Sequence, residues 1–334
     1  MTVALEWTEC SKSATDDAVA LFTGGEIAVI AGGVLSQGAP QTAIRRVWTD
    51  SRTVRRGDLF VALTGARFDG HRFVAEALTK GAVGALVRHG FKLPGTALLF
   101  AVDEPLRAFQ DVARAHRRRF DIPVVAVSGS NGKTTTKDMI GAILAERFVT
   151  LKTDGNLNNH IGVPQTLLRL APRHEAAVIE MGISAPGELA RLCEIAAPIH
   201  GVLTNIGPTH LETLGDLRAV ARAKGEMLDA LPAAGTAVLN ADDAFFDELR
   251  ALEIQQLRVL LLPAVERQAH FPGTREHLRV LDGGFVDDHL LAGPRIALHH
   301  MELVAVEIPR PVEPGLVVQA GHVYNQRIAL PVAD

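Results

Sequence analysis

The sequence predicts an α/β protein: a small N-terminal α/β domain, then a phosphate-loop domain with a mainly parallel sheet flanked by helices. Three observations carry this. Val124–Lys137 reads VVAVSGSNGKTTTK, an apolar β-forming run that enters a glycine turn and then a helical pattern. After it, strand-like and helix-like stretches alternate as far as about Leu252, the pattern of a parallel sheet covered on both faces. Before it, from Ala43, short β-rich runs such as LFVAL and VGALV are closed by glycine turns and separated by a helix near Phe73–Leu78.

Strand, glycine turn, helix is the setting a phosphate-binding loop requires. Backbone N–H groups at a helix start surround phosphate oxygens, and glycine lets the chain curl close to an anion. Gly129, Ser130, Asn131 and Gly132 supply the turn. Lys133 reaches the outer phosphates, and Thr134, followed by Thr135, offers a hydroxyl to Mg²⁺. The longer form of this loop has glycine where this chain has Val127, so the pattern is the shorter G-x-x-G-K-T, Gly129–Thr134.

Bulk properties exclude several classes. The 334 residues suffice for two domains. A net charge of −4 gives no basic field for nucleic acid. No apolar run reaches membrane-spanning length, and the first residues lack the basic start and apolar core of a signal peptide. The only cysteines, Cys10 and Cys193, exclude a disulfide framework and point to a reducing compartment, hence a cytoplasmic protein.

Taken in order, residues up to about Gln41 are weakly patterned. AIRRVWTDSR places Asp50, Ser51 and Arg52 just past a strand, with Asp69, Gly70 and His71 at a later strand end. An arginine there holds a phosphate through parallel hydrogen bonds or is simply a solvated surface group. A boundary is expected near residues 117–121, giving domains 1–120 and 121–334. In the second, strand FVTLK leads to a helix near Pro164–Leu170, AAVIEMGI to Gly187–Ile195, GVLTNIG to Leu217–Leu231, and TAVLN to Asp243–Leu252.

Ligands of parallel sheets sit at the carboxyl ends of the strands. Those ends carry the phosphate loop, GNLNNH with Asn156 and Asn159, Glu180, Thr204 and Asn205 followed by His210, and Asn240 with Asp242 and Asp243. Glu180 follows buried apolar residues, where an unpaired carboxylate is costly. A cation, an arginine or a helix cap would each resolve that cost. His210 alone reads equally as a structural residue, and Lys224 as a solvated helical lysine.

These residues resemble a known family. GSNGKTTTKDM, NLNNHIGVPQTLL, VIEMGISAPGELARLCEIAAP and TNIGPTHLETLGDLRAVARAKGEM are similar to the ATP-dependent Mur ligases of peptidoglycan synthesis. DSR, GDLFVAL and FDGH resemble that family's UDP-substrate domain. EMG-x-x-x-PGEL resembles the branch that joins D-alanyl-D-alanine to UDP-N-acetylmuramoyl-tripeptide. A related Mur or folate polyglutamate ligase is the neighbouring alternative.

The resemblance implies ATP on Gly129–Thr135 and two Mg²⁺ ions, one held by Thr134 and Glu180, the other by His210 and a carbamylated Lys224. It implies Lys133, Lys224, His210 and Asn156 as catalytic groups, Ser51, Arg52 and Asn159 as substrate contacts, and a monomer that uses neither nucleic acid nor membrane. It also leaves 257–334 divergent, with AGHVYNQ (residues 320–326) only partly like the expected asparagine motif. The C-terminal acceptor domain is expected to be absent, so a nucleotide- and UDP-sugar-binding fragment without ligation is a further expectation.

Overall fold

The computed structural model describes residues 20–65, 68–251 and 258–262. AGHVYNQ, Cys10 and nearly all of the divergent segment lie outside them. The chain divides into two compact units, Met1–His116 and Arg117–Asp334.

The first unit runs β1 (Phe22–Thr23), α1 (Gly24–Ile30), β2 (Val34–Gln37), β3 (Ala43–Ile44), β4 (Arg46–Trp48), β5 (Asp58–Val61), β6 (Thr64–Gly65), β7 (Phe68–Asp69), α2 (Val74–Thr79), β8 (Gly84–Arg88), β9 (Leu98–Val102) and α3 (Pro105–Arg117). Thr23 and Glu26 form a reciprocal capping box that starts α1. The sheet order is β2-β9-β8-β5-β4. Only the β2 edge is antiparallel. β5 and β9 are buried along their whole length, so they read as apolar runs rather than as alternation. Phe60, Ala62, Val74, Ala77, Ala85, Val87 and Leu99 pack together as its core.

The second unit runs β10 (Val124–Ser128), α4 (Lys133–Ala145), β11 (Thr150–Lys152), α5 (Gly162–Leu167), β12 (Ala176–Glu180), α6 (Glu188–Ala196), β13 (His200–Leu203), α7 (Leu211–Leu214), α8 (Leu217–Asp229), β14 (Thr236–Asn240), α9 (Phe246–Ala251) and β15 (Arg258–Leu262). All neighbouring strands are parallel, in the order β11-β12-β10-β13-β14-β15. β15, inside the stretch expected to diverge, extends the sheet from β14. Val125, Val127, Ile140, Leu144, Val178, Val202 and Val238 form the core beside α4. Burying each such side chain contributes roughly 1.5–3 kcal/mol.

After β10 the chain turns to one side of the sheet, to β11 and β12, and after β13 to the other, to β14 and β15. β10 and β13 are hydrogen-bonded neighbours. The crevice above them is therefore the topological switch point, where such sheets bind ligands. Among the described residues no helix is long and apolar enough to cross a membrane.

Candidate active site

β10 is buried from end to end and delivers the chain to the switch point at Ser128. Gly129 follows with φ +140°, and a Cβ there would lie 1.9 Å from Thr204 Oγ1. Gly132 caps α4 with φ +78°, so the first helical residue is Lys133. Only glycine takes both positions without strain. The loop opens on a recess lined by Ser130, Asn131, Gly132, Lys133, Thr134 and Thr135, closed on its far side by Asn158 and Glu180. Free N–H groups and the positive end of a 13-residue helix make it an anion site.

Glu180 ends β12 in register with Val127. It is 1% exposed. Its Oε1 accepts from Asn158 Nδ2 at 2.7 Å, while Oε2 is buried with no hydrogen-bond partner. A carboxylate oxygen stripped of water and left without a donor calls for a cation. One carboxylate, the Thr134 hydroxyl and phosphate oxygens are the hard-oxygen set that Mg²⁺ prefers, so these residues fit that ion. Among the described residues there is no cluster of three His, Cys, Asp or Glu. Among the described residues the side chain that hydrogen-bonds Glu180 is the amide of Asn158, not an arginine.

A second recess adjoins the first through Ser130, Lys133 and Asn158, and is completed by Glu188, Thr209, His210 and Lys224. Lys224 is 2% exposed, which overturns its reading as a solvated helical lysine. Its Nζ donates to Gly129 O at 3.0 Å. Burial, and then the charge of Lys133, push its pKa down to about 8. Lys133 donates to Gly129 O at 2.9 Å and Ser130 O at 3.0 Å. Burial lowers its pKa too, against the opposing pull of Glu180. His210 takes a left-handed conformation, φ +54°, at the start of α7 and is half exposed. A four-residue helix is too short for periodicity to reveal, so α7 was not legible beforehand.

GNLNNH contains three asparagines, of which Asn156 and Asn159 are the two expected at the site. Asn156 is exposed and lines neither recess. Asn158 lines both and holds Glu180. Its backbone O also accepts from Gly182 N at 2.7 Å. Asn159 borders the second recess, with its Oδ1 taken by the N–H groups of Ile161 and Gly162 at the start of α5. In a loop without periodicity, residue type alone gives no register. Glu188 was also missed. Its carboxylate accepts from Ser184 N and Ala185 N, and Glu226 of α8 binds Gly187 N and Ala190 N, so two acidic residues hold the start of α6.

In the first unit, Ser51 and Arg52 lie in a 3₁₀ turn capped by Asp50. Arg52 donates through Nε and Nη2 to the Asp50 carboxylate, at 2.9 and 2.8 Å. That pairing holds the Asp50 carboxyl below its ordinary range. The Ser51 carbonyl accepts from Lys80 Nζ, and Trp48 Nε1 donates to Thr53 Oγ1.

Comparison with known proteins agrees with this geometry. Residues 127–270 match the Mur ligase middle domain, and residues 43–116 match the Mur ligase family catalytic domain. UDP-N-acetylmuramoyl-tripeptide--D-alanyl-D-alanine ligases are 44% identical in both Synechocystis, over 206 residues, and Escherichia coli, over 207. The matches cover 61% and 62% of this chain, and 45% of each relative. A crystal structure of MurF from Acinetobacter baumannii superposes with TM-score 0.68 at 34% identity, over 72% of this chain and 53% of that one. MurF from Thermotoga maritima in complex with ADP gives 0.59 at 36% identity, over 65% and 49%. The chain spans about half the length of the relatives it matches. With both matched segments lying on the two units described above, this chain belongs to the Mur ligase family.

Proposed function

We propose that this chain carries the ATP-handling and UDP-substrate-handling parts of a cytoplasmic ligase that joins D-alanyl-D-alanine to UDP-N-acetylmuramoyl-tripeptide. The observation that supports it most is the convergence of Lys133, Thr134, Glu180, His210 and Lys224 on two adjoining recesses. Relatives named for that reaction, one of them solved with ADP, supply the substrate class.

In this reading the loop amides and Lys133 bind the triphosphate, and the second recess holds the tripeptide carboxylate in line with the γ-phosphorus. The carboxylate attacks, ADP leaves, and an acyl phosphate forms. The dipeptide amine then attacks the acyl carbon and phosphate departs, leaving the amide. Mg²⁺, held by Thr134 and Glu180, would neutralise charge developing on the transferred phosphoryl group. Lys133 supplies a fixed positive charge to the same oxygens. Lys224, with its pKa near 8, has an appreciable neutral fraction at neutral pH and can capture CO₂ as a carbamate. With His210, that carbamate would hold a second ion.

The test is phosphate release in the presence of ATP, UDP-N-acetylmuramoyl-tripeptide and D-alanyl-D-alanine. Release that requires all three supports the reading. ADP binding without dipeptide-dependent turnover would instead identify a nucleotide- and UDP-sugar-binding part that needs further chain for ligation. Turnover with a free amino acid in place of the dipeptide would point to a different member of the family.

A further inference from the structure

The phosphate loop is held from outside by the segment that follows β13. Thr204 N donates to Ser128 O at 3.0 Å, and Thr204 Oγ1 to Asn131 O at 2.5 Å. Asn205 then uses two acceptors in succession. Its carbonyl takes Ser130 N–H at 2.9 Å, and its side-chain Oδ1 takes Asn131 N–H at 2.9 Å. Further on, Gly207 N donates to Ser130 Oγ at 2.8 Å, and Ser130 Oγ lies 3.2 Å from Thr209 Oγ1. The next residue is His210.

An anion-binding loop works through N–H groups that have no internal partner. Here the N–H groups of Ser130 and Asn131 are already bonded, both to one residue that belongs neither to the loop nor to its helix. We propose that Asn205 is a positioning residue for the nucleotide. By taking the Ser130 and Asn131 amides it fixes the curvature of the loop and leaves the phosphates to the amides from Gly132 onward. Asparagine suits the task, being an acceptor as short as aspartate without a negative charge beside the phosphate site. Because the same segment continues to His210, the shape of the loop and the placement of His210 are set together.

This inference rests on the nucleotide reading above, and the experiment separates the two. Mg·ADP affinity is measured by calorimetry for the wild-type chain, Asn205→Ala and Asn205→Asp, with a thermal melt of each. Absence of ADP binding by the wild type overturns the nucleotide reading itself. If the wild type binds, Asn205→Ala is expected to weaken ADP about tenfold, the scale of one lost hydrogen bond to an ordered loop. Asn205→Asp keeps the acceptor but adds a charge. Its loss of affinity should therefore shrink as salt rises from about 0.05 to 0.5 M, a dependence that a purely structural defect would not show. Wild-type affinity in Asn205→Ala, or in Asn205→Asp at low salt, overturns the proposal. The second variant decides the matter even where the first fails to fold.

Discussion

Lys133 and Lys224 donate to the same oxygen, the carbonyl of Gly129, at 2.9 and 3.0 Å. They come from different helices, α4 and α8, and burial lowers the pKa of both. Two ammonium groups drawn to one neutral acceptor gather positive charge at the junction of the two recesses, offset only on the Lys133 side by Glu180. In the proposed reading, a triphosphate on one side and a carboxylate on the other would supply the balancing negative charge.

Before it captures CO₂, Lys224 accordingly contributes instability at neutral pH. The unfolded chain holds its proton up to the ordinary lysine value of 10.5, whereas the folded chain releases it near 8. Between those values the unfolded state binds more protons, so stability rises with pH across the window. Below about pH 8 the penalty is fully present, on the order of 3 kcal/mol. Lys224→Met should therefore melt several degrees higher than wild type at pH 7, with the gap closing towards pH 10, while ligation is lost. A melting series from pH 6 to 10 checks this, and a constant gap would remove the buried charge as its cause. In Lys224→Ala, partial return of activity with added acetate or formate tests the carbamate separately.

Glu180 and Asn158 form the second testable pair. Asn158→Ala leaves a buried carboxylate with neither oxygen satisfied by a side chain, a cost of ~1.5–3 kcal/mol. A bound cation offsets it. Addition of Mg·ADP should raise the melting temperature of Asn158→Ala by more than that of wild type, and that of Glu180→Gln by less. Glu180→Gln should lower phosphate transfer about 100-fold or more while ADP alone still binds. An unchanged Mg²⁺ dependence in Glu180→Gln takes this residue out of the metal site.

How much of this was legible beforehand follows residue by residue. β10 and the phosphate loop were, because a buried parallel strand is a continuous apolar run and the glycines and lysine sit at fixed offsets. So was Glu180, since a carboxylate closing such a run has few structural explanations. Asn158 was not, because a loop lacks the periodicity that would separate it from Asn156 and Asn159. The burial of Lys224 was not legible either, because VARAKGEM shows amphipathic spacing but not which α8 residue meets Gly129. β1, β6 and β7 are two-residue strands, below the length at which alternation can be counted.

Gly129 offers a steric test of the loop. A methyl group at this position meets Thr204 Oγ1 at 1.9 Å and Thr204 Cβ at 3.1 Å, on a backbone with φ +140°. Gly129→Ala should destabilise the second unit by ~1–3 kcal/mol through strain alone, with the clash added. It should also weaken ADP strongly. In Gly129→Ala/Thr204→Ala the contact with the hydroxyl is removed while the tight approaches to Thr204 Cβ and N, both 3.1 Å, and the strain persist, so the double variant should recover part of the lost melting temperature. A double variant no better than the single would mean that the Thr204 hydroxyl is not what excludes a side chain at 129.

The first unit can be tested without touching the nucleotide. Arg52 is exposed and held by Asp50 through two nitrogens, a preorganised guanidinium that suits two-point binding of a diphosphate. Arg52→Ala should raise KM for the UDP-linked substrate about tenfold or more and leave KM for ATP unchanged, the signature of a lost ground-state contact. Arg52→Lys should not restore it, because an ammonium cannot span both Asp50 oxygens while presenting a flat face outward. Asp50→Asn should fall between, since the turn keeps an acceptor for Arg52 N but loses the charge that orients the side chain. Equal KM values for the UDP-linked substrate in wild type and Arg52→Ala would assign Arg52 to the solvated surface and move the search for the diphosphate contact to Lys80, whose Nζ already reaches the same turn at the Ser51 carbonyl.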